Sequence, residues 1–390
     1  MRVTNNVIFD TFRRNLQQST KLLLTSQEVM ATQKKINRVS DDPVTAGIVQ
    51  DTRTKLAVTD QFLRNIGRAE STAILVDKFM SQTTDLIARA KELMLSQANS
   101  ATATEATREA VAIELISLRS QALTIANSRV GSRYIFAGTD DTTMPFPPMT
   151  ATGTAGAGNT GGASVFAQVI DETSASGDDY QIQFTAPNAF DVVNVTKGVT
   201  VSSGNPYVSG GDILFEGLLV RVFDDPLPPA AGDTFDIVTT LPGVYNGNSN
   251  DLKVEIEQNS FVAIGLPGDR VFKGVGLSNG VDLFEVFNDA IDALRQNDSV
   301  AIDASLDLFD KCQAQISSQQ SVIGARQNLY DNSKQRLNAL TLELEQQRTL
   351  LEDVDLAEAA TEYNRRETAY QAALTVTARI GQVSLLDFLR

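Results

Sequence analysis

The chain has 390 residues, a formal net charge of −15, one cysteine and no histidine. That length can bury more than one hydrophobic core without covalent staples. The missing histidines and the lone Cys312 exclude zinc sites of the usual His/Cys types, Ser-His-Asp and Cys-His catalysis, and any intrachain disulfide.

The acidic balance argues against general nucleic-acid binding, and it is unevenly divided. Residues 1–40 carry seven Lys or Arg against two acids, whereas residues 351–390 carry seven acids against four Arg, so the two ends can attract one another. No stretch reaches the roughly 20 apolar residues of a membrane span. The opening residues, Met1 to Asn15, lack the apolar h-region of a secretory signal peptide. These features by themselves predict a cytoplasmic chain.

In chain order, the first segment places Phe9, Phe12, Leu16, Leu23 and Met30 at alternating three- and four-residue steps, interrupted by Ser19 and Ser26. A helix with so narrow a stripe buries too little surface, at about 25 cal/mol per Å², to offset its ordering entropy, so it needs a partner. Ser40-Asp41-Asp42-Pro43 marks the next start. Proline fits the first helical position because its missing N–H would be unpaired there anyway, and Asp42 can cap the free amides. The second helix runs from Pro43 to about Ala98. Its seam is Phe62, Ile66, Ala69, Ala73, Val76, Met80, Ile87, Ala90 and Met94, with Thr83 as the polar member. Asn99 to Thr104 reads as a short loop, and Thr102 with Glu105 fits a capping box that opens a third helix through Arg129, antiparallel to the second.

Beyond the segment from Gly131 to Gly138 the composition shifts. Ten of the eleven prolines and nineteen of the twenty-five glycines lie between Pro145 and Gly280, which disfavours helix there. Alternating runs at Ser164–Ile170, Tyr180–Phe184, Phe190–Val195, Asp212–Phe223, Thr234–Val238 and Leu252–Ile256 predict an inserted antiparallel β domain. The Gly-, Ala- and Thr-rich tract from Thr150 to Gly162 predicts a mobile loop.

Helical periodicity returns near Val281, pauses at Asn297-Asp298 and continues from Ala301 to Arg390. Ile316, Ile323, Tyr330, Leu337, Leu344 and Leu351 recur every seven residues, which asks for partner helices. Asp355 to Glu358 has the spacing of an aspartate-led capping box and divides the run just after Leu351. The last helix carries a thin stripe of Leu356, Ala360, Tyr363, Tyr370, Leu374, Ile380 and Val383, with Leu386 beyond it. The predicted class is α+β and multidomain, with long coiled-coil-like helices from both chain ends forming a rod around an inserted β domain. Residues 1–40 with 355–390 form a terminal-helix domain, 41–144 with 281–354 a helical rod domain, and 145–280 the β domain.

No catalytic, metal or cofactor site is predicted, and the chain reads as a non-enzyme. Asp41-Asp42 is explained as a helix start and Asp178-Asp179 as a polar turn. Gly153 to Gly162 lacks the Lys-Ser/Thr ending of a phosphate loop. Aromatic residues are 6% of the chain, with no tryptophan, which leaves little material for a stacking platform.

The nine residues from Lys35 to Pro43, the Gly131-to-Gly138 segment, Gly324-Ala325-Arg326 and the ending Val383-Ser384-Leu385-Leu386-Asp387-Phe388-Leu389 resemble the flagellin superfamily, and within it the hook-filament junction proteins. Val39 stands where the family often has proline, and Thr32-Gln33 where it often has Ser-Gly. The resemblance covers roughly residues 1–140 and 281–390 and revises the cytoplasmic expectation. It implies export through the flagellar type III apparatus after handling by an export chaperone, without a cleavable signal peptide, to the extracellular hook-filament junction. It also implies a ring homo-oligomer between hook-associated protein 1 on the hook side and flagellin on the filament side, with no cofactor. On this reading Phe9, Phe12, Leu16, Leu23 and Met30 pair with Leu356, Tyr363, Tyr370, Leu374, Ile380, Val383 and Leu386 as the assembly interface. Two alternatives stay open: a filament flagellin, and a scaffold that displays a glycan- or surface-binding β module.

Overall fold

The computed structural model describes residues 2–98 and 104–388, with side chains from residue 7 onward except 8, 9 and 380–388. In chain order the elements are α1 (Arg2–Thr32), α2 (Pro43–Ala98), α3 (Glu105–Ala126), β1 (Arg129–Val130), β2 (Arg133–Tyr134), β3 (Thr150–Ala155), β4 (Ser164–Val169), β5 (Tyr180–Ala186), β6 (Ala189–Asn194), β7 (Val199–Pro206), β8 (Ile213–Phe215), β9 (Leu218–Phe223), β10 (Thr234–Thr240), β11 (Lys253–Glu257), β12 (Ser260–Ala263), α4 (Gly268–Phe272), α5 (Leu283–Arg295), α6 (Ser299–Glu352) and α7 (Leu356–Phe388). Long helices from both ends of the chain pack together, and an antiparallel β region lies between them in the sequence. Two compact units divide the chain inside α2 and α6: residues 1–66 with 331–390, and residues 67–330.

The heptad pattern is the source of helix packing in both units. On α2, Ile66, Ala69, Ala73, Val76, Met80, Ile87, Ala90 and Met94 are fully buried. Thr83 joins them at no polar cost, because its hydroxyl donates to the Phe79 carbonyl at 2.9 Å. On α6, Ile316, Ile323, Tyr330, Leu337 and Leu344 are buried, while Leu351 is half-buried at the end of the series. Asp355 accepts amide hydrogens at the start of α7, as its capping-box spacing predicts. Asp282 at α5 and Asp298 at α6 do the same, two caps that the sequence reading does not name.

In the second unit, β3-β10-β5-β6-β7 form one sheet and β4-β9-β8 another, and β1-β2 and β11-β12 are separate hairpins. The two larger sheets pack face to face over Tyr180, Ile182, Phe184, Phe235, Val220 and Val222, because alternate residues on each strand point inward. A separate aromatic cluster ties the helices to the Gly131-to-Gly138 segment: Phe136 meets Phe79 and Phe272, and Phe146 meets Phe272, Phe284 and Tyr245. Arg326 and Tyr330 on α6 donate to the carbonyls of Gly265 and Ala263, at 2.6 and 2.8 Å, and so hold the end of the β11-β12 hairpin.

Several expectations are corrected. The Thr150-to-Gly162 tract is not a free loop: its first six residues form edge strand β3 against β10, and its second half is held by Asp233, which accepts the amides of Thr160 and Gly161 at 2.7 and 3.0 Å. The third helix is capped by Thr104 with Thr107 and ends at Ala126, short of Arg129, and Thr102 lies outside the described residues. The Asp212-to-Phe223 run is two strands, turned at Glu216-Gly217, where both residues have positive φ. The polar strand β7 and the short strands β1, β2 and β12 carry too little alternation to be seen in the sequence.

Two motif glycines behave oppositely. Gly138 has φ +70°, and a Cβ there would lie 2.1 Å from the Asn248 carbonyl oxygen, whereas a Cβ on Gly324, inside α6, would meet nothing. Gly138→Ala should therefore destabilise the protein by more than the roughly 1–2 kcal/mol of the left-handed backbone alone. Gly324→Ala should stabilise the helix by about 0.5–1 kcal/mol. Denaturant unfolding of the two variants reads both signs.

Candidate assembly interface

The predicted terminal pairing is present: α1 packs along α7 within the first unit. Its inward line on α1 is Phe12, Leu16, Ser19, Leu23, Ser26 and Val29, all half-buried, and Met30 lies on the exposed side of that line. On α7 the inward line is Ala359, Tyr363, Arg366, Tyr370, Ala373 and Thr377. Thus Phe12, Leu16, Leu23, Tyr363 and Tyr370 are half-buried on the two packed helices, while Leu356 and Leu374 are exposed. The side chains of Phe9, Ile380, Val383 and Leu386 lie outside the described residues.

The pair is thinly covered. No described α1 side chain is fully buried, and on α7 Ala359 alone is. Leu24 is 57% exposed, and Val7, Leu22, Leu356, Leu374 and Val376 are exposed as well. The helices of the second unit hide their seams completely, so the contrast is one of stripe width and residue size. Opposite end charges do not close the gap: among the described residues, the ion pairs of α1 and α7 run within each helix or to the adjoining turns.

The two helix joints of this unit are stitched together. Lys34 and Asp353 form an antiparallel bridge, the Lys35 amide donates to the Glu352 carbonyl at 2.7 Å, and the Val354 amide donates to the Gln33 carbonyl at 3.1 Å. Gln33 has φ +59°, the conformation that favours the glycine the family often places there. At the centre is the Glu352 carboxylate, 3% exposed, which receives both Lys34 and Arg53. Burial pushes its pKa up, but donation from Lys34 and Arg53 outweighs burial and holds it below the usual value. The helix-start motif completes the turn. Asp41 Oδ2 accepts the Asn37 and Arg38 amides at 3.2 and 2.8 Å, and Asp42 Oδ1 accepts those of Val44 and Thr45 at 3.1 Å each. The Thr45 hydroxyl, its amide and that of Val44 hold the Asp42 carboxyl low despite its slight desolvation. Ser40 is exposed in the turn and Pro43 is the first residue of α2.

Sequence reasoning missed Glu352, Lys34 and Arg53. Arg53 and Glu352 are 299 positions apart, and nothing local marks either as a partner. The other acid pair is structural too. Asp178 accepts from Ser176, Asn194 and Lys197, and Asp179 accepts the Thr239 amide. Cys312 is buried, and its thiol is pushed up to about 12 by burial, with a smaller contribution from Asp282. Among the described residues no cluster of metal-ligating side chains could hold an ion, and no helix is long and apolar enough to cross a membrane.

Residues 3–141 match the bacterial flagellin N-terminal helical region, and residues 306–389 match the bacterial flagellin C-terminal helical region. The chain belongs to the flagellin superfamily. Flagellin A of Vibrio anguillarum is 25% identical over 98% of this chain and 97% of its own length. Flagellar hook-associated protein 3 of Escherichia coli is 29% identical over 37% of this chain and 46% of its own. A Vibrio parahaemolyticus structure named for a flagellar hook-associated protein shares the fold, with a TM-score of 0.51 at 14% identity over 80% of this chain and 99% of that one. Membership makes the chain a structural, non-enzymatic component of the extracellular flagellum that assembles with other flagellar components.

Glu352→Gln should loosen the stitched joints at a cost of about 1–3 kcal/mol, since a charge-assisted contact is lost and two cations stay behind. Hydrogen exchange at residues 33–42 and 352–356 reports it. A carboxyl held low in the fold stabilises at neutral pH and loses that contribution as the pH falls through the range below its usual 4.5. Acid should therefore lower the protection factors at the joints of the native chain, with exchange rates taken relative to the intrinsic rate at each pH, and change those of the Glu352→Gln variant far less.

Proposed function

We propose that this chain is the junction protein that connects hook to filament, assembling as a ring through its paired terminal helices. The half-covered α1 and α7 pair carries the reading. Its inner line holds the two helices together, and Val7, Leu22, Leu24, Leu356, Leu374 and Val376 remain for the helices of neighbouring copies. Burying those side chains on assembly removes apolar surface at about 25 cal/mol per Å², which compensates for a pair too thin to be stable alone. In this assignment residues 1–40 with 355–390 form the inner core, 41–144 with 281–354 the rod, and 145–280 the inserted module. Hook-associated protein 1 is the hook-side neighbour, flagellin the filament-side neighbour, and an export chaperone the partner before secretion.

The Ser40-Asp41-Asp42-Pro43 turn and the ending from Ser384 to Leu389 support the junction assignment. A second reading, a filament flagellin, is favoured by the full-length likeness to Vibrio flagellins. Fluorescent labelling of the protein on intact flagella separates them: one band beside the hook is expected, and label along the filament would replace the junction reading with the second.

Removing residues 1–40 tests the shared mechanism. The truncated chain should keep its β domain and heptad-packed helices by circular dichroism yet fail to assemble, and a functional junction built from it would sink the terminal-helix mechanism.

A further inference from the structure

The β domain distributes its charge unevenly. Between residues 145 and 280 there are fifteen acids and five bases, so copies of this domain repel one another wherever those acids face. In the two packed sheets the charges sit on inner strands: Asp191 in β6, Arg221 in β9 and Asp236 in β10. The four edge strands carry none. Edges β3 and β4 lie together on one open side, where Gly153 touches Val165. Edges β7 and β8 lie together on the other, lining a common groove that includes Ser202, Asn205, Ile213 and Leu214.

Both sides also expose apolar side chains. Phe166 (45%) and Ile170 line a shallow groove with Met149 on the first side, and Val199, Val208 and Leu214 (63%) stand on the second. Natural edge strands are blunted with lysine or internal proline. Strands β3 and β7 have neither, since Pro206 is the last residue of β7, although register shifts near Val192 bend it. Each groove holds one acid, Glu172 on the first side and Asp212 on the second, and each is paired with an arginine, Arg119 at 3.7 Å and Arg221 at 2.6 Å, so an acidic sandwich can approach its own copy through these sides without bringing unpaired acids of the two grooves together. A basic partner would be drawn to the charged surfaces instead.

We infer that the β domains of neighbouring copies join side to side, the β3 and β4 side of one copy seated on the β7 and β8 side of the next. This rests on the self-assembly reading above. Two different sides meet, so the contact is head to tail, the kind that propagates around a ring or along a tube rather than stopping at a dimer. Four antiparallel steps separate β3 from β7, so the two strands run the same way and the join adds a parallel pair. Parallel pairing is slightly weaker per residue, which suits a contact formed after the terminal helices have gathered the copies.

The test uses the full chain with Thr152→Cys on β3 and Ser203→Cys on β7, both exposed, made singly and together. The native Cys312 is buried and stays out of the reaction. Assembly is followed by sedimentation, and a short bis-maleimide is then added. The double variant should give a ladder of covalent oligomers, a mixture of the two single variants dimers and nothing longer, and either single variant alone no product. Leu214→Asp, at an exposed position, should abolish the ladder while assembly persists. Cross-linking of a single variant to itself would mean two-fold edge pairing and overturn the head-to-tail join. Assembly without covalent product would overturn the join and leave the terminal-helix reading standing, whereas a wild-type chain that never assembles would remove both.

Discussion

The heptad seam on α2 and α6 is the constraint on which the rest of this protein depends. Its buried positions are small or aliphatic on α2 and larger on α6, so the helices approach closely and exclude water over many turns. Because these helices come from opposite ends of the sequence, packing them returns the chain to where it began. The terminal helices are thereby brought together without having to find one another. The β region lies in the sequence between α3 and α5, which pack on each other within the second unit.

What the seam cannot do is complete the terminal pair. The inward line of α7 contains two alanines, a threonine and an arginine, and that of α1 contains two serines. Such a stripe supports pairing in one molecule and leaves surface for more. The Glu352 contacts matter here because they fix the joints rather than the helices: one carboxylate answers to a lysine in the α1–α2 turn and an arginine on α2. Incomplete burial in the helices and a firm anchor at their base are together what a subunit needs if it is to add to an assembly without unfolding first.

The β domain follows a different economy. Its core is filled by alternating residues from two sheets, and its turns are held by carboxylates buried at loop ends. Asp233 receives the amides of Thr160, Gly161 and Ala230, which outweigh its desolvation and hold its pKa down. That one residue converts a glycine-rich tract, which by composition should wander, into an ordered edge of the sandwich.

The sequence by itself determined the long helices, the helix starts at Asp42 and Asp355, the buried heptad face and the existence of a β insertion, because periodicity and capping are local and each is written within a few residues. It also carried the family, in short motifs of which Lys35 to Pro43 and Gly131 to Gly138 serve tight turns. Only the tertiary structure decided that Thr150 to Ala155 is a strand, that Leu356 and Leu374 look outward while Ala359 and Arg366 look in, and that Glu352 meets Lys34 and Arg53. Each of those depends on a partner tens to hundreds of residues away. A polar edge strand has no alternation of its own until a neighbouring strand supplies its hydrogen bonds. A thin helical stripe has no unique inward face until another helix chooses one.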